Sequence, residues 1–176
     1  KPAGEVMIGE MFANVHVPIV AKVSGDVYAG GFFFLAGSHV VVAQEGLTFG
    51  LPEVKRGLYP FQVMAALLRV MPPRKGIDWC IRGYNLPVSE AERFGLVSRV
   101  VRAEAMDAEV AAVVAELKEN SPSAIRLGLT AYEYIRPAAE EHAYLMEMLR
   151  QTILTKDGQE GLLAFREKRK PLWSGT

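Results

Sequence analysis

Pro18-Ile19-Val20-Ala21-Lys22-Val23-Ser24-Gly25 is followed by Ala29-Gly30-Gly31, the segment Phe32 to Ala36, and Val40-Val41-Val42-Ala43. The first of these reads as a strand, rich in β-branched residues and closed by Ser24-Gly25. Ala29-Gly30-Gly31 opens an apolar segment short enough to be a buried helix. Val40 to Ala43 reads as a second strand, β-branched and uncharged, as suits a sheet covered on both faces. The order strand, glycine turn, buried helix, strand predicts an α/β unit with a right-handed crossover. Val27 to Gln44 contains no Asp, Glu, Lys or Arg, a run just long enough to raise the question of a membrane span. Gly30, Gly31, Gly37, Ser38 and His39 interrupt it, and its pattern changes halfway. It therefore predicts a buried helix followed by a buried strand, and no membrane partner.

Beyond this stretch, Leu47-Thr48-Phe49 is a candidate third strand between Gly46 and Gly50. Phe61 to Val70 is apolar almost throughout and predicts a helix stopped by Met71-Pro72-Pro73. Ser89-Glu90-Ala91-Glu92 has capping-box spacing, with Gly95 as the end of a short helix. Leu96 to Val101 resembles a last short strand. Met106, Val110, Val113, Val114 and Leu117 fall at helical spacing, and Ser121-Pro122 marks the start of the next helix. Further helices are expected over Glu140 to Leu154 and Gln159 to Lys168. The texture changes along the chain: 11 of its 16 glycines lie before Val88, and the remainder is charged and helix-periodic.

Composition removes several classes. The 176 residues carry 20 Lys+Arg against 20 Asp+Glu, so no bulk charge favours nucleic acid or anionic lipid. A single cysteine, Cys80, excludes an intrachain disulfide scaffold. A hydrophobic content of 50% with dispersed charge excludes disorder. The length suffices for one domain with a sizeable core. The chain starts at Lys1 with no signal-like segment, which raises the expectation of a processed product, a fragment or a partial listing.

Motif searches narrow the chemistry. There is no GxGxxG, no Walker loop, no HExxH, no CxxC and no GxSxG. His16, His39 and His142 are scattered, so no metal site is expected. Two features remain. Ala29-Gly30-Gly31 opens a buried helix, where unpaired backbone N–H groups and the absence of a side chain can hold an oxyanion. Tight strand-to-helix packing explains the same glycines. Phe49-Gly50-Leu51-Pro52-Glu53 places a carboxylate in apolar surroundings, which would raise its pKa and suit it to general-base work. Taken alone, the segment is better explained by a solvated acid in the first turn of a helix. His39 reads as a structural histidine, and Asp26 and Glu45 as surface or turn residues. Tyr28, Phe32, Phe33, Tyr59, Phe61 and Met64 are candidates either for core or for an apolar ligand pocket.

In order along the chain stand Val17 to Gly25, Ala29-Gly30-Gly31, Phe49-Gly50-Leu51-Pro52-Glu53-Val54-Lys55-Arg56-Gly57-Leu58, Ala91 to Val97 and the tail Gly161 to Pro171. This ordered set resembles the crotonase superfamily, the enoyl-CoA hydratase/isomerase family. The resemblance implies an α/β spiral of ββα units over residues 1–102, and a C-terminal helical region over 103–176 that mediates trimerisation and contacts CoA. It implies trimers that often pair into hexamers, a cytoplasmic enzyme, and an acyl-CoA thioester substrate with no separate cofactor. It also implies that the family's domain begins well upstream of Lys1, so that early ββα units, part of the CoA surface and the first oxyanion N–H lie outside this sequence.

Carried over residue by residue, the resemblance makes Gly30 the second oxyanion donor, with Ala29 and Gly31 shaping its turn, and Glu53 the acid/base group. Phe165 and Lys168 match tail positions that contact the CoA of a neighbouring subunit; helical core packing and a solvated basic cluster, Lys168-Arg169-Lys170, are their other readings. The departures bear on mechanism. Family hydratases place a first glutamate three positions after the central glycine, where this chain has Phe33. Phe61 replaces a glycine near the water site. Isomerases of the superfamily share the Ala-Gly-Gly turn, the apolar residue and the single glutamate. The expectation is 3-enoyl to 2-enoyl-CoA isomerisation, with enoyl-CoA hydration and non-catalytic acyl-CoA binding as the alternatives.

Overall fold

The computed structural model describes residues 8–12, 15–135 and 140–174. A short helix, α1 (Ile8–Met11), precedes two three-stranded sheets that the chain visits alternately. Strands β1 (Val20–Val23), β3 (Val40–Gln44) and β6 (Arg99–Val101) form one sheet in the order β1-β3-β6, all parallel. Strands β2 (Val27–Tyr28), β4 (Thr48–Gly50) and β5 (Asn85–Pro87) form the other, with β2 parallel and β5 antiparallel to β4. Each ββα unit thus contributes one strand to each sheet and one helix to the layer outside. The first unit is β1, β2 and α2 (Phe32–Gly37); the second is β3, β4 and α3 (Phe61–Leu67).

The α/β unit expected from residues 18–43 is present, with Val20 to Val23 registered on Val40 to Ala43. The uncharged run Val41-Val42-Ala43 is buried, as covering on both faces requires. Between the sheets and helices lies an aromatic core. Phe32 of α2 meets Phe49 edge-on at 5.9 Å and Trp79 at 5.0 Å, all three fully buried. The Trp79 indole N–H donates to the Tyr84 carbonyl at 2.8 Å, so its polar edge is satisfied. His39 is structural as expected: its Nδ1 accepts from the Ile19 N–H at 3.0 Å. Asp26 accepts from the Thr48 N–H at 2.8 Å, tying the β1–β2 turn to β4. The side chain of His142 lies outside the described residues.

Three expectations change. Helix α3 ends at Leu67, short of the expected stop at Met71-Pro72-Pro73, and Pro73 instead opens α4 (Pro73–Arg82), which the sequence reading did not include. Proline at a helix's first position loses no hydrogen bond, and Gly83, at φ +57°, closes the far end. The Ser89/Glu92 capping box does not form. Helix α5 (Val88–Arg93) has Pro87 rather than Ser89 at its N-cap, two residues earlier, and its first N–H, that of Val88, donates to the Leu47 carbonyl at 3.0 Å. Glu92 accepts instead from the Val100 N–H at 2.8 Å and so anchors β6. Strands β2 and β5, of two and three residues, were not anticipated.

The remaining helices are α6 (Met106–Lys118), α7 (Pro122–Ile135), α8 (Glu140–Leu154) and α9 (Lys156–Arg166). Helix α9 begins three residues before the expected Gln159, because Thr155 caps it, accepting from the Gly158 N–H at 2.9 Å. Helix α6 lies across β1 and β3 and is tied to the sheet through the Lys22–Asp107 and Arg99–Glu109 ion pairs. Helix α8 rests on α3, and α9 on the turn that follows β4.

Candidate active site

Parallel pairing brings the two singled-out segments together. Tyr28 at the end of β2 is registered on Gly50 at the end of β4. Ala29-Gly30-Gly31 and Leu51-Pro52-Glu53 therefore leave neighbouring strands, about 4.8 Å apart, at the same carboxyl end of one sheet. That edge is where parallel α/β sheets offer a crevice. Gly50 permits the pairing: a Cβ there would sit 2.6 Å from the Tyr28 ring.

Ala29 to Gly31 form a single helical turn leading into α2. Ala29 adopts φ +50°, an uncommon left-handed conformation for a residue with a side chain. It reverses the chain out of β2, so that the first N–H groups of the turn have no acceptor within it. Around Gly30 there is space: a Cβ built there would meet nothing within 4 Å. Gly31 has a packing duty instead, since its Cβ would lie 2.9 Å from Val27.

Glu53 sits in a second helical turn, Pro52–Arg56, opened by Pro52 and closed by Gly57 at φ +71°. Its carbonyl accepts from the Leu58 N–H at 3.0 Å, which pins its backbone. Its Oε2 is buried and has no hydrogen-bond partner. Burial pushes the Glu53 pKa above the ordinary carboxylate value; its backbone hydrogen bond and the Arg56 charge pull the other way without cancelling the rise. One group near it, Cys80, was given no site role from the sequence, and Tyr59, singled out only as a core or pocket candidate, is affected in turn by Cys80. The buried Cys80 thiol on α4 is pushed up to about 12, by desolvation first and then by Glu53. Tyr59 is raised by desolvation and by Cys80. A lone cysteine carries no local signal of such a neighbour.

The Glu53 turn is clamped by two helices. A Cβ on Gly57 would lie 2.4 Å from the Asp157 carbonyl oxygen, and one on Gly161 only 2.3 Å from the Arg56 carbonyl oxygen. Helix α9 thus touches the turn backbone to backbone. On the other side, a Cβ on Gly83 at the end of α4 would lie 3.0 Å from the Leu51 carbonyl oxygen.

The remaining expected residues fall as follows. Phe33 is partly buried against the core. Phe61 opens α3, its ring 5.0 Å from that of Tyr59, whose hydroxyl donates to the Met64 sulfur at 3.4 Å. Phe32 is core, while Tyr28 is largely exposed. Phe165 is 58% exposed, which removes core packing as its explanation; its ring lies under the Arg56 guanidinium at 4.2 Å. Lys168 lies beyond the end of α9, exposed, at φ +55°. A cleft of about 340 Å³ lined by Phe12, Gly37, Val70, Leu129 and Tyr132 lies at the opposite end of α2 from Gly30, away from Glu53. Among the described residues, no group of three or more His, Cys, Asp or Glu is placed to hold a metal ion.

A family model described as enoyl-CoA hydratase/isomerase matches residues 10–176. The chain is 33% identical over 161 residues to the mevalonyl-coenzyme A hydratase of Aspergillus fumigatus, covering 89% of this chain and 60% of that protein. It is 31% identical over 182 residues to the carnitinyl-CoA dehydratase of Escherichia coli, covering 99% of this chain and 69% of that protein. The chain thus spans about three-fifths to two-thirds of the length of these curated relatives. It superimposes on the carnitinyl-CoA hydratase of Mycobacterium avium with a TM-score of 0.82 at 26% identity, over 92% of this chain and 64% of that one. Methylmalonyl-CoA decarboxylase, at 24% identity and a TM-score of 0.82, shares the fold. With its alternating ββα units and a family match over nearly its whole length, the chain belongs to the enoyl-CoA hydratase/isomerase, or crotonase, family.

Proposed function

We propose that the protein acts on acyl-CoA thioesters through an enolate, with Glu53 as its single acid/base group, and that its reaction is 3-enoyl to 2-enoyl-CoA isomerisation. The observation that carries this reading is the buried, unpartnered Oε2 of Glu53 at the sheet end shared with the open Gly30 turn. In the reaction, the Glu53 carboxylate removes a proton from C2 of the thioester. The electrons delocalise onto the thioester oxygen, which the Gly30 N–H holds. The same carboxyl returns the proton at C4, leaving the double bond between C2 and C3. No atom is gained or lost.

Phe33 supports isomerisation over hydration. By the family resemblance it stands where hydratases have their first glutamate, and it cannot transfer a proton; the Tyr59–Phe61 ring pair fills space with apolar surface. A hydration or dehydration reading is favoured by the mevalonyl and carnitinyl relatives, whose names describe that chemistry. In the same proposal Phe165 and Lys168 contact CoA. Exposed Leu127, Leu154 and Leu172 supply apolar surface for self-association into trimers.

Paired 3-enoyl-CoA and 2-enoyl-CoA substrates given to the full-length protein test the reading. Conversion of the first to the conjugated 2-enoyl ester, reduced about 10²–10⁴-fold in Glu53→Gln, is expected. Formation of 3-hydroxyacyl-CoA from the 2-enoyl ester would replace it with hydration. Unchanged turnover in Glu53→Gln removes Glu53 from the chemistry.

A further inference from the structure

In a tight helical turn, side chains three residues apart eclipse one another, which places Glu53 and Arg56 on one face of the Pro52–Arg56 turn. A glutamate and an arginine so spaced ordinarily attract each other into an ion pair. Arginines elsewhere in this chain do pair: Arg169 with Glu160 and Glu167, Arg93 with Glu90, Arg82 with Asp78. No ion pair joins Arg56 to Glu53 among the described residues, and the Glu53 Oε2 is buried and orphaned. The Arg56 guanidinium instead lies 4.2 Å over the centre of the Phe165 ring. Phe165 reaches it from α9, one helical turn after Gly161, whose missing side chain lets α9 touch the Arg56 carbonyl. One face of α9 thus grips Arg56 twice, by its backbone and by its side chain.

We propose that Phe165 is a positioning residue for the site: by stacking on Arg56 it holds the guanidinium away from Glu53 and keeps the carboxylate unpaired. This rests on the reading of Glu53 as the proton-transferring group, and gives the C-terminal helix a part in the site of its own subunit. A base that accepts a carbon-bound proton loses strength when an arginine neutralises it. Parking the arginine on a ring face retains a cation at the mouth of the site without that loss. The other groups around Glu53 do not substitute for Arg56. From α4 comes the Cys80 thiol, and after the turn Tyr59, both uncharged because burial raises them. On α9, Asp157 accepts from Ser174 and Glu160 is engaged with Arg169.

The test is a ¹³C-carboxyl NMR titration of Glu53 in the full-length protein without ligand, the resonance assigned by its loss in Glu53→Gln. Phe165→Leu keeps apolar bulk but removes the ring face. In that variant the titration midpoint is expected to fall by about one unit or more as Arg56 swings onto the carboxylate. Phe165→Tyr retains the ring and should leave the midpoint in place. In the double variant Phe165→Leu/Arg56→Gln the midpoint should return to the parent value or above. An unmoved midpoint in Phe165→Leu overturns the proposal. So does an equal fall in the double variant, which would mark simple loosening of α9. The titration needs no turnover, so its outcome stands apart from the fate of the isomerase reading.

Discussion

The two turns at the carboxyl end of β2 and β4 come from neighbouring strands of one sheet, yet are built in opposite ways. The Ala29–Gly31 turn is open: nothing lies within 4 Å of a Cβ on Gly30, and the turn is held by a left-handed Ala29. The Pro52–Gly57 turn is closed, with helix backbone from α9 pressed within 2.4 Å of where a Gly57 Cβ would be. Glycine leaves open space in the first and permits helix docking in the second. A backbone donor needs room for the atom it will bind, whereas an ionisable side chain in apolar surroundings needs rigid support to keep water and counter-ions away.

Gly161→Ala challenges the closed turn most strongly. Its methyl would meet the Arg56 carbonyl oxygen at 2.3 Å, and neither backbone can yield without displacing α9. A loss of about 2–3 kcal/mol in unfolding free energy is expected by denaturant titration of the full-length protein. A loss below about 0.5 kcal/mol would show that α9 does not clamp the turn. Gly30→Ala makes the converse case. Its stability should stay within about 0.5 kcal/mol of the parent, since the added methyl meets no protein atom. Turnover should nonetheless fall about tenfold or more, because the methyl occupies the ligand's approach. Full activity in Gly30→Ala would remove the oxyanion role.

The smallest effect concerns pH. Burial raises the Glu53 pKa in the folded state, so ionising Glu53 costs stability. That cost is absent below the unfolded-state carboxylate pKa and fully present once pH has risen past the raised folded value. Glu53→Gln should therefore raise Tm by about 2 °C at neutral pH and by nothing near pH 3, as read by calorimetry. A gain that is the same at both pH values would mean that the side chain's shape, not its charge, is what the turn resists.

Much of this arrangement was legible beforehand. The β-branched runs at Val20 and Val40, the buried Phe32 segment and the helical spacing of Met106 to Leu117 all appear where their periodicity placed them. Such patterns survive folding because each depends on which face of one element is buried. Strands β2 and β5 were invisible because two or three residues show no period, and their pairing partners lie 22 and 37 residues away in sequence. Proline at 73 was ambiguous for a related reason: a ring that cannot sit inside a helix suits the first position of one, and here it opens α4.

The chain's own order of residues was enough to place the β1 and β3 strands with a buried helix between them, to carry the family resemblance that implied ββα units, and to single out Gly30 and Glu53. Folding supplied what surrounds them. The register of Tyr28 on Gly50 sets the two turns side by side, α4 brings the Cys80 thiol up to Glu53, and α9 lays Phe165 beneath Arg56. Arg56 and Phe165 are more than a hundred residues apart, and no local pattern carries a contact of that range. It exists because two glycines let the backbones of α9 and the Glu53 turn meet.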